Sequence, residues 1–301
     1  MLNVIARAGC FIAIIIAGYL LRKYNFFKEG DFAILSKIVL KITLPAAFIS
    51  NFSGKTLDTS MLTLSLLGLG AGILYMMLGY IISLRQSKEN KAFYILNLPG
   101  YNVGNFTIPF IQSFLGTTGV ITASIFDVGN AFVCLGGTYG VASSVKGTGG
   151  FSVKRVIKAL SKSVAFLTCL FMMILGILHI MLPSPVIQLA EIVGGANAFL
   201  AMLMLGVGFK LRGEKSQIKT IIKILAIRYG VALVLATVFY ILPWDTATRT
   251  TLMVLAFAPI GSAVPAFTEE LGEDAGLSAA INSVSIICSI IFIISILTVM
   301  L

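Results

Sequence analysis

The sequence predicts an all-α polytopic membrane protein, and three observations support this prediction. Apolar runs recur from end to end of the chain, charged residues are scarce, and basic residues are concentrated in alternate connecting segments. Of the 301 residues, 58% are hydrophobic and only 11% are charged, and the mean hydropathy is +1.00. Soluble domains carry about 25% charged residues, so this composition indicates a chain whose solvent is the lipid bilayer.

The apolar runs are long enough to predict transmembrane helices. A helix needs about 20 apolar residues to cross the hydrocarbon core, whereas membrane β-strands show short alternating segments that are not found here. We predict ten spans, at 3–21, 33–53, 60–84, 92–115, 117–144, 157–182, 185–209, 217–242, 247–269 and 276–300.

The basic residues indicate the orientation of the spans. The segments after spans 1, 3, 5 and 7 are rich in lysine and arginine, as in "RQSKENK", whereas those after spans 2, 4, 6 and 8 are nearly free of them. Cytoplasmic loops carry this excess. We therefore expect a multi-pass protein of the cell membrane with both termini extracellular, and the net charge of +10 indicates topology rather than nucleic-acid binding.

An internal repeat divides the chain. The segment "PFIQSFLGTTGVITASI" (109–125) aligns with "PAFTEELGEDAGLSAAI" (265–281). We predict a first five-helix repeat at 1–145, a basic cytoplasmic linker at 146–155 and a second five-helix repeat at 156–301. Because five is odd, the second repeat must be inverted relative to the first, which is a common arrangement in secondary transporters.

Spans 4 and 9 are interrupted at corresponding places in the two repeats. Proline removes a helix hydrogen bond, and the freed backbone groups are tolerated in a membrane only where protein or a water-filled cavity satisfies them. Paired interruptions of this kind indicate a transport site near the middle of the membrane, although ordinary proline kinks are the alternative. The predicted helix breaks contain Pro99, Gly104, Pro109, Pro259, Gly261 and Pro265.

The motifs at these breaks resemble those of the auxin efflux carrier family, in particular its bacterial malate permease-like members. Span 4 carries "NVGN" (102–105) followed by "IPF" and "LG", and span 9 carries "AP" (258–259) followed by "LGED" (271–274). The resemblance extends over nearly the whole chain, but the long central loop of the plant members is absent.

The resemblance implies a two-domain arrangement. Spans 1, 2, 6 and 7 would form a scaffold that makes a homodimer, while spans 3–5 and 8–10 would form a moving transport domain. Spans 4 and 9 would cross at their breaks, as in bile acid symporters and sodium/proton antiporters.

Neutral polar side chains near the breaks are candidates for substrate binding. An amide supplies two hydrogen-bond donors to a carboxylate without burying a charge, and the N-terminal ends of broken helices favour anions. The alternative is that these side chains only satisfy the open backbone. The candidates are Asn97, Asn102, Asn105, Thr107, Ser262 and Asn282.

A second group of polar residues is predicted to carry a proton or a coupling ion. Asp127 lies within span 5, and intramembrane acids are functional candidates by default. Asn130 lies one turn further on the same face, and Ser285 lies in the corresponding helix of the second repeat. A location of Asp127 near the outer surface is the alternative. Arg228, within span 8, is expected to extend toward the lipid headgroups.

The remaining residues argue against an enzyme. The four cysteines lie in different spans, and the one histidine lies at the edge of span 6, so no metal set or nucleophile–base pair is indicated and no cofactor is expected. The sequence predicts a secondary active transporter of small organic anions, working by an elevator type of alternating access. A cation-coupled symporter or a sodium/proton antiporter with the same fold is the alternative, and a proton or sodium ion is the expected coupling partner.

Overall fold

The computed structural model describes residues 2–28, 30–209 and 217–301, and these residues form helices and connecting segments without any β-strand. Seven of the described helices are long and apolar enough to cross a membrane, or eight when one bent pair is counted as a single span. The chain is therefore a multi-pass membrane protein. The helices are α1 Leu2–Lys23, α2 Asp31–Phe52, α3 Thr59–Ile82, α4 Lys88–Asn97, α5 Ile108–Phe114, α6 Gly116–Lys146, α7 Val153–Lys162, α8 Val164–Ile177, α9 Ser184–Gly208, α10 Ile218–Ile241, α11 Thr246–Ala256, α12 Val264–Glu270 and α13 Ala275–Met300.

Predicted spans 4 and 9 each consist of two short helices. In span 4, α4 and α5 are separated by residues 98–107, which we call the first break. In span 9, α11 and α12 are separated by residues 257–263, which we call the second break. Each short helix is too short to cross a membrane alone, so each pair requires polar partners at its break.

The six predicted break residues fall into two structural classes. Pro99, Gly104, Pro259 and Gly261 lie within the breaks themselves. Pro109 and Pro265 lie in the first turns of α5 and α12, where the missing N–H of proline has no helical partner to lose.

Gly104 lies in a wide π-helical turn, Val103–Thr107, which leads into α5. A similar turn, Val39–Thr43, precedes Pro45 in α2. The proline ring would clash with the carbonyl group four residues earlier, and one wide turn moves that carbonyl away.

Predicted span 6 is bent close to its predicted start at residue 157. Residues 153–162 form α7, which meets α8 at an angle of 82°. Ser163 explains the bend, since its backbone is extended and its hydroxyl group accepts a hydrogen bond from the N–H of Phe166, which starts a new helix. The predicted linker, residues 146–155, is correspondingly helical from Val153 onward.

Helix α6 lies at the centre of the molecule. It packs against α2, α3, α5, α8 and α11, and most of its residues between Gly119 and Ala131 are buried. Side chains on α6 are therefore held close to both breaks.

The contact between α3 and α6 depends on a small residue. At Gly68 an added Cβ atom would overlap the backbone carbonyl group of Phe126, whereas at Gly70 it would meet nothing within 4 Å. Glycines in this arrangement let two membrane helices approach closely.

We predict that Gly68→Ala destabilises the protein, because the added methyl group forces α3 and α6 apart and overpacking costs about 1–3 kcal/mol. Thermal unfolding in detergent should show a midpoint several degrees lower than that of the parent. Gly70→Ala, on the same helix, is the control and should leave the midpoint unchanged or slightly raised. Equal midpoints for the two variants would contradict the close contact.

Candidate transport site

The two breaks lie against one another. The backbone N–H of Asn102 in the first break donates to the carbonyl oxygen of Pro259 in the second, at 2.8 Å. A second bond joins side chains, since Nδ2 of Asn105 donates to Oγ of Ser262 at 3.0 Å. Four of the residues singled out in the sequence therefore meet at one place, although the two residues of each pair are 157 positions apart.

A side chain of α6 holds the first break. Asn130 accepts a hydrogen bond from the N–H of Tyr101 at 3.1 Å and donates one to the carbonyl oxygen of the same residue at 3.0 Å. One amide thus satisfies both polar groups of a residue outside any helix. Asn130 is 1% exposed, as this structural role requires.

Two side chains of α13 hold the second break in a similar manner. Oγ of Ser285 accepts from the N–H of Ile260 at 3.2 Å, and Nδ2 of Asn282 donates to the carbonyl oxygen of Ile260 at 2.8 Å. In each break, one residue is therefore hydrogen-bonded to side chains of a later long helix. Tyr101 is held by α6, and Ile260 is held by α13.

Arg228 of α10 joins both breaks. Its guanidinium group donates to the carbonyl oxygens of Leu98 and Gly100 in the first break and of Ala258 in the second, the last two at 2.9 and 2.8 Å. The side chain is 1% exposed. The rings of Tyr75 and Tyr101 lie with their centroids 5.2 and 5.3 Å from its central carbon.

The position of Arg228 has a clear electrostatic cause. The three carbonyl oxygens lie just beyond the C-terminal ends of α4 and α11, where helix dipoles are negative. In the described part of the chain, no carboxylate lies within ion-pair distance of this guanidinium group. The expectation that Arg228 extends toward the headgroups is wrong, because its side chain instead satisfies carbonyl groups that the helix breaks leave open.

Two cavities adjoin the breaks. The first, of about 330 Å³, is bordered by Asn105, Asp127 and Asn130, and the second, of about 640 Å³, is bordered by Glu269 and Asn282. Asn102 and Ser262 line both cavities. The contact between the breaks therefore forms a polar partition. The other predicted break residues on these walls are Gly104 and Gly261 in the first cavity and Pro265 in the second.

Two polar atoms at the partition have no protein partner. Nδ2 of Asn102 and Oδ1 of Asn105 are buried and form no hydrogen bond with the described residues, and each side chain is 5% exposed. Leaving such a group unsatisfied costs about 1–3 kcal/mol. A ligand or water in the adjoining cavities would remove this cost.

Three of the candidate residues are instead fully used by the protein. Asn97 is 0% exposed, donates to the carbonyl oxygen of Phe93 at 3.0 Å and accepts from Oγ of Ser278 at 2.6 Å. Thr107 donates to the carbonyl oxygen of Asn102 at 3.1 Å, and Ser285 donates to that of Asn282 at 2.7 Å. None of the three lines either cavity, so the structure places them in helix packing and break repair.

Asp127 lies deep in α6, beside the first break. Its carboxylate accepts a hydrogen bond from Nδ2 of Asn130 at 2.7 Å and lines the first cavity. Asp127 is half-buried, and its depth in the membrane stays a prediction. Among the described residues, no group of three histidine, cysteine, aspartate or glutamate side chains is arranged to hold a metal ion.

Sequence reasoning missed Cys134 and Tyr101. The thiol of Cys134 lines the first cavity and donates to Oδ1 of Asn130 at 3.2 Å. Tyr101 carries the peptide group that Asn130 holds. Cys134 lies one helical turn after Asn130, and Tyr101 directly precedes Asn102. This proximity to polar candidates is the signal in the sequence that could have identified them.

Apolar spanning helices around two opposed breaks, with a polar partition and cavities on both sides of it, define a membrane protein with an internal polar site. The profile of a family described as membrane transport protein matches residues 8–148. This family is the auxin efflux carrier family, so the resemblance that the motifs indicated is confirmed over residues 8–148. It is a family of transporters and not of enzymes.

The match has a defined extent. It covers α1 to α6 and includes the first break, while the second break lies beyond it. A sequence search against curated proteins finds no match for the chain.

We predict that Arg228→Gln strongly destabilises the protein, because it leaves carbonyl groups of both breaks unsatisfied and each lost bond to a charged donor is worth about 1.5–3 kcal/mol. Thermal unfolding in detergent measures the effect, and the midpoint should fall by more than that of Arg228→Lys, which keeps the charge. The control is Lys219→Gln, an exposed residue of the same helix. A midpoint for Arg228→Gln equal to that of the control would contradict the bridging role.

Proposed function

We propose that the chain is a secondary active transporter of small organic anions, such as the mono- and dicarboxylates that a malate permease-like protein would carry. The observation that carries the proposal is the unpartnered amide N–H of Asn102, at the partition between the two cavities. A buried donor without an acceptor, in a protein of a transporter family, is suited to a substrate that brings an acceptor.

The charges near the partition favour an anion. Arg228 adds a positive charge behind the breaks, and among the described residues its guanidinium group meets carbonyl groups and no carboxylate. The π-helical turn that precedes α5 presents its N-terminal end to the same region, and such ends favour negative charge. A carboxylate would accept from Asn102 and from the hydroxyl group of Ser262, which lines both cavities.

We further propose an elevator type of alternating access in a ten-helix inverted repeat, with halves at 1–145 and 156–301. Its support is the grouping of contacts. Helix α9 packs against α1 and α2, and α2 also packs against α8, which matches the scaffold inferred from the family. The helices α3, α4 and α6 pack on one another, as do α10, α11 and α13.

Contacts on one side of the molecule support an inward-open arrangement. The ring of Phe11 in α1 packs edge-on against Phe110 in α5, with centroids 4.9 Å apart, and Gln112 donates to the carbonyl oxygen of Gly194 in α9 at 3.4 Å. The second cavity reaches Arg22 and Glu269, at helix ends that the positive-inside rule assigns to the cytoplasm.

Asp127 is the proposed site of coupling. A carboxylate on the wall of the first cavity can bind a proton or a cation while substrate binds at the partition. Its bond with Asn130, which itself holds Tyr101, connects the coupling group to the first break. A sodium-coupled symporter or a sodium/proton antiporter would use the same carboxylate, and the driving ion separates these mechanisms.

We predict that Asn102→Ala and Asn105→Ala abolish uptake of organic anions into proteoliposomes, because each removes a polar group at the partition. A panel of radiolabelled mono- and dicarboxylates, offered with and without a pH gradient, identifies the substrate first. Asn90→Ala, an exposed amide at the start of α4, is the control and should transport normally. Normal transport by folded Asn102→Ala and Asn105→Ala would overturn the proposed site.

We predict that Asp127→Asn uncouples transport. The amide cannot release or bind a proton, so accumulation driven by a pH gradient should be lost while exchange of labelled for unlabelled substrate continues. The measurement compares net uptake with exchange in the same proteoliposomes. Net uptake that still follows the pH gradient would contradict proton coupling through Asp127, and dependence on a sodium gradient instead would favour the cation-coupled alternative.

A further inference from the structure

Helix α7 connects the two halves of the chain and has three distinct faces. Val156 and Leu160 are buried against Ala131 of α6 and its neighbours. Val153 and Ile157 form a second apolar strip, but they are 60% and 57% exposed. The third face is basic and exposed, and it carries Lys154, Lys158 and Lys162.

The position of α7 is set by the bend at Ser163. Helix α8 begins immediately after this residue and lies in a predicted span, and α7 meets it at 82°. A helix at nearly a right angle to a span lies nearly parallel to the membrane surface. Its exposed apolar strip then faces the acyl chains, and its lysines reach the headgroups.

Contacts with the body of the protein fix how α7 is rotated. Nη2 of Arg155 lies 2.5 Å from Oε1 of Glu270, at the end of α12, and its guanidinium group lies over the ring of Tyr139 with 3.9 Å to the centroid. Arg155 is thus committed to the protein, while the lysines on either side of it are free of ion pairs among the described residues. Lys154 and Lys158 therefore point away from the protein, whereas Lys162 borders the first cavity.

The charge of this segment is of one sign. Residues 147–163 contain four basic residues and no aspartate or glutamate. We propose that α7 binds the phosphate headgroups of anionic phospholipids in the adjacent leaflet, with Lys154 and Lys158 as the main contacts and Val153 and Ile157 inserted beside the acyl chains. Each lysine near an anionic membrane surface strengthens binding about fivefold.

The same geometry gives the bound lipid a connection to the rest of the molecule. Arg155 ties α7 to the end of α12, and Ala159 and Lys162 line the first cavity. A headgroup bound by α7 is therefore connected, through α7 and the Arg155–Glu270 contact, to α12, which follows the second break. The lipid site itself does not depend on the proposed substrate.

The experiment measures lipid contact directly, in reconstituted full-length protein. Trp244 is the only tryptophan, so Ile157→Trp in a Trp244→Phe background places one reporter on the membrane-facing strip. Quenching by brominated phosphatidylglycerol and by brominated phosphatidylcholine gives their relative binding constant. We expect a several-fold preference for phosphatidylglycerol, which Lys154→Gln with Lys158→Gln should reduce by about fivefold or more.

The matched control removes the same charge from the same side of the molecule. Lys88→Gln with Lys219→Gln alters exposed residues of α4 and α10 and should keep the preference for phosphatidylglycerol. Equal quenching by the two lipids in the parent would overturn the proposal, as would an equal loss of preference in the two double variants, since that result would indicate diffuse charge. Because no substrate is used, these outcomes are independent of the transport assays.

Discussion

The whole arrangement depends on how carbonyl groups are satisfied where two helices stop inside an apolar protein. Arg228 donates to carbonyl oxygens of both breaks, and it does so at the ends where two helix dipoles are negative. A neutral side chain could supply some of these bonds but not the charge. The single guanidinium group therefore lowers the free-energy cost of ending α4 and α11 in the middle of the molecule. It also holds those two helix ends together.

The remaining polar residues divide into those that complete this repair and those that are left over. Asn130, Asn282 and Ser285 hold the peptide groups of Tyr101 and Ile260. Asn102 and Asn105 keep one unpartnered atom each. The first group satisfies the backbone of the breaks, and the unpartnered atoms of the second group are the ones that our proposal assigns to a ligand.

Much of this could be predicted from the sequence because proline and glycine act locally. The positions of both breaks follow from Pro99 and Pro259, and Asn105 and Ser262, which meet there, are both candidates that the sequence offers. Asn97 could not be separated from Asn102 in this way, because an amide five residues away looks the same in the sequence although it is enclosed by Phe93 and Ser278.

Other features depend on the direction in which a side chain or a helix points, and the composition of a segment does not determine that direction. The sequence shows how far Arg228 lies from the ends of its span. Whether its long side chain reaches the headgroups or the protein interior depends on which face of the helix carries it. The bend at Ser163 was hidden because the basic and apolar residues of α7 continue smoothly into an apolar run. In each case a tertiary contact decides the outcome.

The central claim is that substrate binds at the partition formed by the two breaks. Ser262 lines both cavities there and is exposed, so Ser262→Cys in a variant without its native cysteines offers a direct measurement. The rate of its modification by a charged thiol reagent is measured with each carboxylate of the transport panel. Carboxylates that are transported should slow modification, and those that are not should leave it unchanged. Modification at the same rate with and without a transported carboxylate would contradict the claim.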